Sequence, residues 1–274
     1  MRLTATRLAA VLTAIGIVVV ACNSIPPIGA TAIAAGDEHT CAIVNGAVEC
    51  WGDNSSGQVG TGTTATPQLS PAVVISGGAT AIAAGGDHTC AIVNAAVECW
   101  GDNGSGQVGT GTTVTPQLSP VVVISGGATA IAAGYGHTCA VVKGAVECWG
   151  GNSVGEVGTG TMTSPQLSPV TIVTAGATAI SAGLSGSCAI VNGAVECWGF
   201  NYSGQVGTGT TTGPQLRPVT VVAAGATAIA AGYGHTCAVV KGTVECWGDN
   251  SNGQIGTGTR IGPQLSPVAV VDSR

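Results

Sequence analysis

The chain has 274 residues, of which 7% are charged and 45 are glycine, with a formal net charge of −6. An ordinary globular domain carries roughly a quarter charged residues, and here Lys and Arg form no cluster of the kind that holds nucleic-acid phosphates. Aromatic content of 3% means that large rings do little of the core-building, which falls to Ala, Val and Ile with some covalent help.

The N-terminal stretch MRLTATRLAAVLTAIGIVVVAC carries Arg2 and Arg7 and then an apolar run from Leu8 to Ala21. That run of 14 residues is short of the ~20 that span a bilayer as a helix, and it reads as an export signal. Val19, Val20, Ala21 and Cys22 resemble the bacterial lipobox, which implies cleavage before Cys22 and its diacylation. Residues 1–21 are therefore expected to be a lipoprotein signal peptide, and 22–29 a tether stiffened by Pro26 and Pro27. The product would sit on the bacterial cell envelope, held to the membrane through the lipid on Cys22. Without residues 1–21 it has 5 basic against 13 acidic residues, a net of −8.

From Ala30 the chain repeats. Five units of 49 residues run without insertion to Arg274 and form one domain, 30–274. In the first unit ATAIAAG is an expected strand, TCAIV a second, AVECWG a third and PAVVIS a fourth; a Gly/Ser/Thr loop separates the last two. These strands are apolar on both faces, so each sheet must be sandwiched between others, as propeller blades are. The fold class is all-β, a β-propeller of five four-stranded blades. The first unit has no Pro-led strand before it and the last leaves SPVAVV with no unit after it. Ring closure by pairing of this C-terminal strand with the first blade is the expectation.

Each unit carries two cysteines nine positions apart: Cys41 and Cys50, Cys90 and Cys99, Cys139 and Cys148, Cys188 and Cys197, Cys237 and Cys246. Asn45-Gly46 signals a type I′ hairpin, since both central residues need positive φ. Counting outward from that turn pairs Val44 with Ala47, Ile43 with Val48, Ala42 with Glu49 and Cys41 with Cys50. The cysteines then share a non-hydrogen-bonded site with Cα atoms about 4.5 Å apart, close enough for a disulfide. Each staple closes about ten residues and should add roughly 2–3 kcal/mol. Asn94-Ala95 breaks the pattern, and positive φ at Ala95 should cost ~1 kcal/mol. The competing reading is zinc, with His39, Cys41 and Cys50 as ligands. Structural zinc takes four, no fourth recurs, and Gly186 replaces the histidine in the fourth unit.

The stretch AIAAGYGHTCAVVKGAVECWGDNSNGQIGTGT and its relatives resemble the repeat of the regulator of chromosome condensation family. The marks are Ala-Gly before His-Thr, the Trp-Gly hairpin and the Asn-x-x-Gly-Gln-x-Gly loop. The resemblance covers 30–274 and implies a β-propeller, in a cysteine-bridged form that looks like exported bacterial members. The family's usual count is seven blades, against five here. Its founding member exchanges guanine nucleotides and docks on nucleosomes; an exported, acidic chain fits neither, and no nucleic acid is expected as a partner. A related propeller inhibits β-lactamase, so inhibition of a secreted enzyme is one version of a binding role.

No enzyme is expected. His39, His88, His137 and His235 have no acid at a recurring offset, and a turn hydrogen bond in each blade is their simplest role. Glu49, Glu98, Glu147, Glu196 and Glu245 would line up as a ring on closure and read first as a solvated rim. No cofactor or metal site stands out. What one unit changes is more telling than what all share. The fourth carries Leu184, Gly186, Phe200, Tyr202 and Arg217 in place of mostly small or polar residues. Phe200 and Tyr202, with Leu184, Tyr135 and Tyr233, form the candidate binding surface for a protein at the cell surface or in the periplasm. The alternative is a lectin with a sugar site in every blade, built on the recurring Trp, Asn and Gln around Asn54.

Overall fold

The computed structural model describes residues 29–271; the stretch 1–21 expected to be a signal peptide, and Cys22, lie outside them. Twenty strands form five antiparallel four-stranded sheets, each built from consecutive strands. Blade 1 comprises β1 (Ala30–Ala35), β2 (His39–Val44), β3 (Ala47–Gly52) and β4 (Gln68–Ile75). Blade 2 is β5 (Ala79–Ala84), β6 (His88–Val93), β7 (Ala96–Gly101) and β8 (Gln117–Ile124). Blade 3 is β9 (Ala128–Ala133), β10 (His137–Val142), β11 (Ala145–Gly150) and β12 (Gln166–Val173). Blade 4 is β13 (Ala177–Ala182), β14 (Gly186–Val191), β15 (Ala194–Gly199) and β16 (Gln215–Val222). Blade 5 is β17 (Ala226–Ala231), β18 (His235–Val240), β19 (Thr243–Gly248) and β20 (Gln264–Ala269).

The β2–β3 hairpin has the register its turn dictates, from Val44↔Ala47 out to Cys41↔Cys50. Asn45 and Gly46 take φ of 53° and 80°, and Ala95 is held at 65°. Every expected cysteine pair is disulfide-bonded within its own hairpin. Cys41 is joined to Cys50, Cys90 to Cys99, Cys139 to Cys148, Cys188 to Cys197 and Cys237 to Cys246, each with Cα atoms 4.1 Å apart. With both sulfurs of each pair spent in a covalent bond, the zinc alternative has no thiolates to use.

The core lies between blades, not within them. At the first seam the Cys41–Cys50 bridge, Ile43, Val48 and Val59 of blade 1 pack against Ala91, Val93 and Trp100 of blade 2. The same cluster recurs at the next three seams, each setting a disulfide of one blade against a tryptophan of the next. Trp100, Trp149, Trp198 and Trp247 are all fully buried. A side chain of that size hides roughly 200 Å², worth on the order of 5 kcal/mol of transfer free energy. Gly60 lets the loop come this close: at φ 85°, a Cβ there would stand 2.7 Å from the Trp100 indole nitrogen.

The expected closing strand is not formed. β20 pairs with β19 of its own blade, and β1 pairs with β2. The Pro-led strand stays with the blade it follows because it is already held by β3, through Cys50↔Ala72 and Val48↔Ile75. The blades form an arc, and the faces at its two ends stay more exposed than their counterparts: Ile33 on blade 1 is 71% exposed and Val244 on blade 5 is 44% exposed.

Candidate functional site: the axial mouth and the blade 4–5 crevice

The innermost strands converge on a recess of about 370 Å³ along the axis of the arc, lined by the ends of β1, β5, β9, β13 and β17 and the loops that follow. One position in these loops gives each blade its own character. It holds Asp37, Gly86, Tyr135, Leu184 and Tyr233 in turn. Tyr135 is 56% and Tyr233 80% exposed, and Leu184 is half-buried. Phe200 and Tyr233 line one crevice between blades 4 and 5, and Tyr202 packs on Phe200 with ring centroids 5.0 Å apart. All five residues singled out from the sequence thus lie in one neighbourhood, with Tyr233 the link between recess and crevice.

The other side of the mouth is acidic. Asp37 and Glu38 occupy the blade 1 loop and Asp87 the equivalent loop of blade 2. Burial, and then repulsion from Asp102, Asp37, Asp53 and Glu38, pushes the Asp87 carboxyl above its ordinary range. Asp53 is held down to about 2 by hydrogen bonds led by those from the Ser55 and Thr66 side chains. Sequence reasoning missed Asp37, Glu38 and Asp87 as part of the surface. Setting the five units side by side at the two positions before the histidine would have found them, Asp37 at the first of these and Glu38 and Asp87 at the second.

Each histidine accepts a turn hydrogen bond at its backbone carbonyl, from Gly36, Gly85, Gly134 and Gly232 N–H, but the side chains of the first three reach across a seam. His39 Nε2 lies 2.8 Å from Thr89 Oγ1 of the next blade, His88 Nε2 2.9 Å from Thr138 Oγ1, and His137 Nε2 2.9 Å from Ser187 Oγ. The Thr89 hydroxyl donates its own proton to the Gln58 carbonyl at 2.8 Å, so His39 must donate through Nε2–H. That leaves Nδ1 a bare acceptor, buried and without a partner in His39 and His88. A proton added there finds no acceptor and little water. Burial accordingly lowers the pKa to about 4 in His39 and His137 and to about 3 in His88, where cationic His137 and His39 add to the penalty.

The polar residues offered for sugar binding are consumed inside the blades. Asn54 is fully buried; its Nδ2 donates to the Thr63 and Ala65 carbonyls and its Oδ1 accepts from Val59 N–H. Trp100 Nε1 donates to the Gln58 carbonyl at 2.9 Å, and Gln58 Nε2 to Asp53. Asn103, Asn152, Asn201 and Asn250 are buried in the same way. These side chains hold the loop and have nothing left to offer a glycan. The five hairpin glutamates, from Glu49 to Glu245, stay half-exposed on the strands and none lines the axial recess.

In blade 4, Gly186 stands where the other blades have histidine. The missing imidazole leaves the crevice walled by Gly186, Ser187, Phe200, Tyr233, His235 and Thr236.

Stacked four-stranded blades around an axis, with variable loops at one mouth, define a β-propeller repeat protein. The model of the regulator of chromosome condensation (RCC1) repeat matches residues 45–92, 97–141 and 192–239, and a second model of that repeat matches 30–58. The chain belongs to the regulator of chromosome condensation repeat family. The 45–92 match starts at the β2–β3 turn of blade 1 and ends in β6 of blade 2, so that repeat crosses a seam. Among solved structures, human WBSCR16 superposes with a TM-score of 0.77 at 21% identity, over 89% of this chain and 67% of that one. Prp20p from Saccharomyces cerevisiae, studied with its binding to Gsp1p and histones, gives 0.77 at 21% over 89% and 64%. Yeast RCC1 (Prp20) bound to Kap60 gives 0.77 at 20% over 88% and 61%. The chain spans about two thirds of the length of these structures. No curated protein matches it.

Proposed function

We propose that the chain is an exported, lipid-tethered, non-catalytic binding module that holds a protein partner at the axial mouth. The observation that carries this reading is the one loop position that changes from blade to blade. Asp37 gives one side of the mouth negative charge, with Glu38 and Asp87 behind it in the loops of blades 1 and 2, and Tyr135, Leu184 and Tyr233 give the other an apolar, aromatic surface. Rigid exposed aromatics beside unpaired carboxylates suit a polypeptide segment that presents Lys or Arg next to apolar side chains. The solved relatives support the same kind of role: Prp20p is described with Gsp1p and histones as binding partners, and yeast RCC1 with Kap60. The catalytic reading lacks support because His39, His88 and His137 are committed to neighbouring blades and held neutral. Export and tethering rest on the lipobox-like Val19–Cys22.

The test is capture of envelope proteins by the full chain, with each retained protein identified by mass spectrometry. Tyr135→Ala/Tyr233→Ala should weaken retention of the specific partner about tenfold or more, as loss of an interface hot spot does. Asp37→Asn/Glu38→Gln/Asp87→Asn should weaken it mainly at low salt. Retention unchanged by both variants would remove the mouth from consideration. Fatty-acid labelling that persists after Cys22→Ser would likewise dispose of the tether.

A further inference from the structure

The slot between blades 4 and 5 has lost its imidazole but has not closed. At the first three seams the ring of His39, His88 or His137 lies against a glycine of its own blade, Gly36, Gly85 or Gly134. A Cβ on any of these glycines would collide with the ring, and also with the carbonyl oxygen of Gly85, Gly134 or Gly183 in the next blade. A Cβ on Gly183 would collide with the Gly232 carbonyl oxygen in the same way, and would meet no ring. The fourth seam therefore keeps the spacing of the other three around an empty place. Ser181 helps to hold it. It stands where the other blades have alanine, and its hydroxyl accepts from the Ala231 N–H at 2.9 Å, tying the two innermost strands without entering the slot.

The slot also contains an acceptor with nothing to accept. Thr89, Thr138 and Ser187 each give their proton to a carbonyl and receive one from a histidine Nε2–H. Thr236, only 2% exposed, donates to the Gln205 carbonyl at 3.0 Å, and its oxygen receives no proton among the described residues. The slot opens beside Phe200 and Tyr233, and no carboxylate lines it. The geometry points to a neutral imidazole ring as its occupant, carried by a histidine of the protein held at the mouth, a step that rests on the mouth being a protein-binding site. The ring would donate one N–H to Thr236, as His88 does to Thr138. Its second nitrogen needs no partner, since His39 and His88 bury theirs without one. Lysine, arginine or an imidazolium ion would bring a charge into a wall that has no carboxylate to pair with it.

Imidazole itself is the probe, added to the full chain in detergent at pH 8, where the ring is neutral. Thiazole, a five-membered ring of similar shape without an N–H, is the control. Imidazole should raise the thermal midpoint, by about 3 °C at ten times its dissociation constant, and thiazole should not. Gly186→His, whose own ring fills the slot, should abolish the response. At saturation imidazole should also release most of the partner captured from envelope extract, and thiazole should release none. No response to imidazole, an equal response to thiazole, or a response that survives Gly186→His overturns the proposal; the first two are read on the wild type and do not depend on the variant folding. Capture that is lost in Tyr135→Ala/Tyr233→Ala but indifferent to saturating imidazole overturns it too, while leaving the mouth as a protein-binding site. An imidazole response with no partner captured would instead count against the mouth and leave the slot as an imidazole site.

Discussion

The seams between blades 3 and 4 and between blades 4 and 5 have the same disulfide-on-tryptophan core, yet differ in the polar side chains beside it: the first has a histidine, and the second has instead Ser181, whose hydroxyl accepts from the Ala231 N–H at 2.9 Å. At the first, His137 reaches Ser187 of the next blade at 2.9 Å. At the second, Gly186 offers no side chain, and Thr236 keeps only its bond to the Gln205 carbonyl at 3.0 Å. The apolar core survives the loss: Trp198 and Trp247 are both fully buried. The comparison separates two functions of a seam. Apolar burial holds the blades together; the histidine closes the end next to the axis. Where it is gone, the opening falls beside Phe200 and Tyr233, in the part of the molecule that differs most between units.

Acid should widen the difference most. A histidine with a pKa of 6.5 unfolded and about 3 to 4 folded is neutral in the native state and takes up a proton on unfolding. The unfolded state then binds more protons between pH 6.5 and 4, so stability is complete above that window and falls as pH drops through it. The slope approaches about 1.4 kcal/mol per pH unit for each of the three histidines. Asp53, with a pKa of about 2, adds a loss only below the ordinary Asp value of 3.8. Hydrogen exchange at pH 7 and pH 4.5 should show β5, β9 and β13 losing protection at low pH while β17, at the seam without a histidine, loses least. Equal losses at all four seams would remove the histidines as the cause.

Tryptophan truncation should come next in size, and should ignore the histidine. Trp149→Ala and Trp247→Ala each empty a fully buried site and break a bond to a carbonyl, at about 3–5 kcal/mol. Trp51 is only half-buried on the free face of blade 1, and Trp51→Ala should cost about 1 kcal/mol in the monomer. Denaturant unfolding of the three variants gives the ranking. A cost at Trp51 equal to that at Trp149 would mean that blade 1 is already covered.

How much of this was legible beforehand follows from the range of each interaction. The hairpin from Cys41 to Cys50 was readable residue by residue, because a two-residue turn determines every pairing outward from it. The side on which β4 would pair was not. PAVVIS is apolar on both faces, and nothing in such a run says whether it stays with β3 or serves a later unit. His39 was assigned a local bond for the same reason: its partner is 50 residues away, one more than the repeat length, and adjacency across a seam leaves no mark at short range. The recurring Asn, Gln and Trp looked like ligand-binding groups because polar side chains usually face water. Here they fold inward to satisfy loop carbonyls, with the Asn54 side chain binding residues five to eleven positions ahead. The aromatic half of the mouth stood out as an anomaly among small residues; the acidic half did not, being split between two units.

The smallest effect bears most on function. A Cβ at residue 186 would meet the Trp198 carbonyl oxygen at 3.2 Å and little else, and the backbone there is not left-handed. Gly186→His should therefore fit after a shift of a few tenths of an ångström, with Nε2 directed at the Thr236 hydroxyl as His88 is at Thr138. A hydrogen bond contributes about 1 kcal/mol and the loss of glycine's unfolded-state freedom up to about 1. Crowding at the carbonyl takes some back, leaving a gain of roughly 1 kcal/mol, readable as a higher denaturation midpoint. The same imidazole fills the crevice next to Phe200. If the crevice receives a partner side chain, the stabilised variant should capture less partner than the wild type, the usual cost of filling a site kept open for binding. Greater stability with undiminished capture would mean that the histidine was lost by drift, and that the partner uses the axial recess alone.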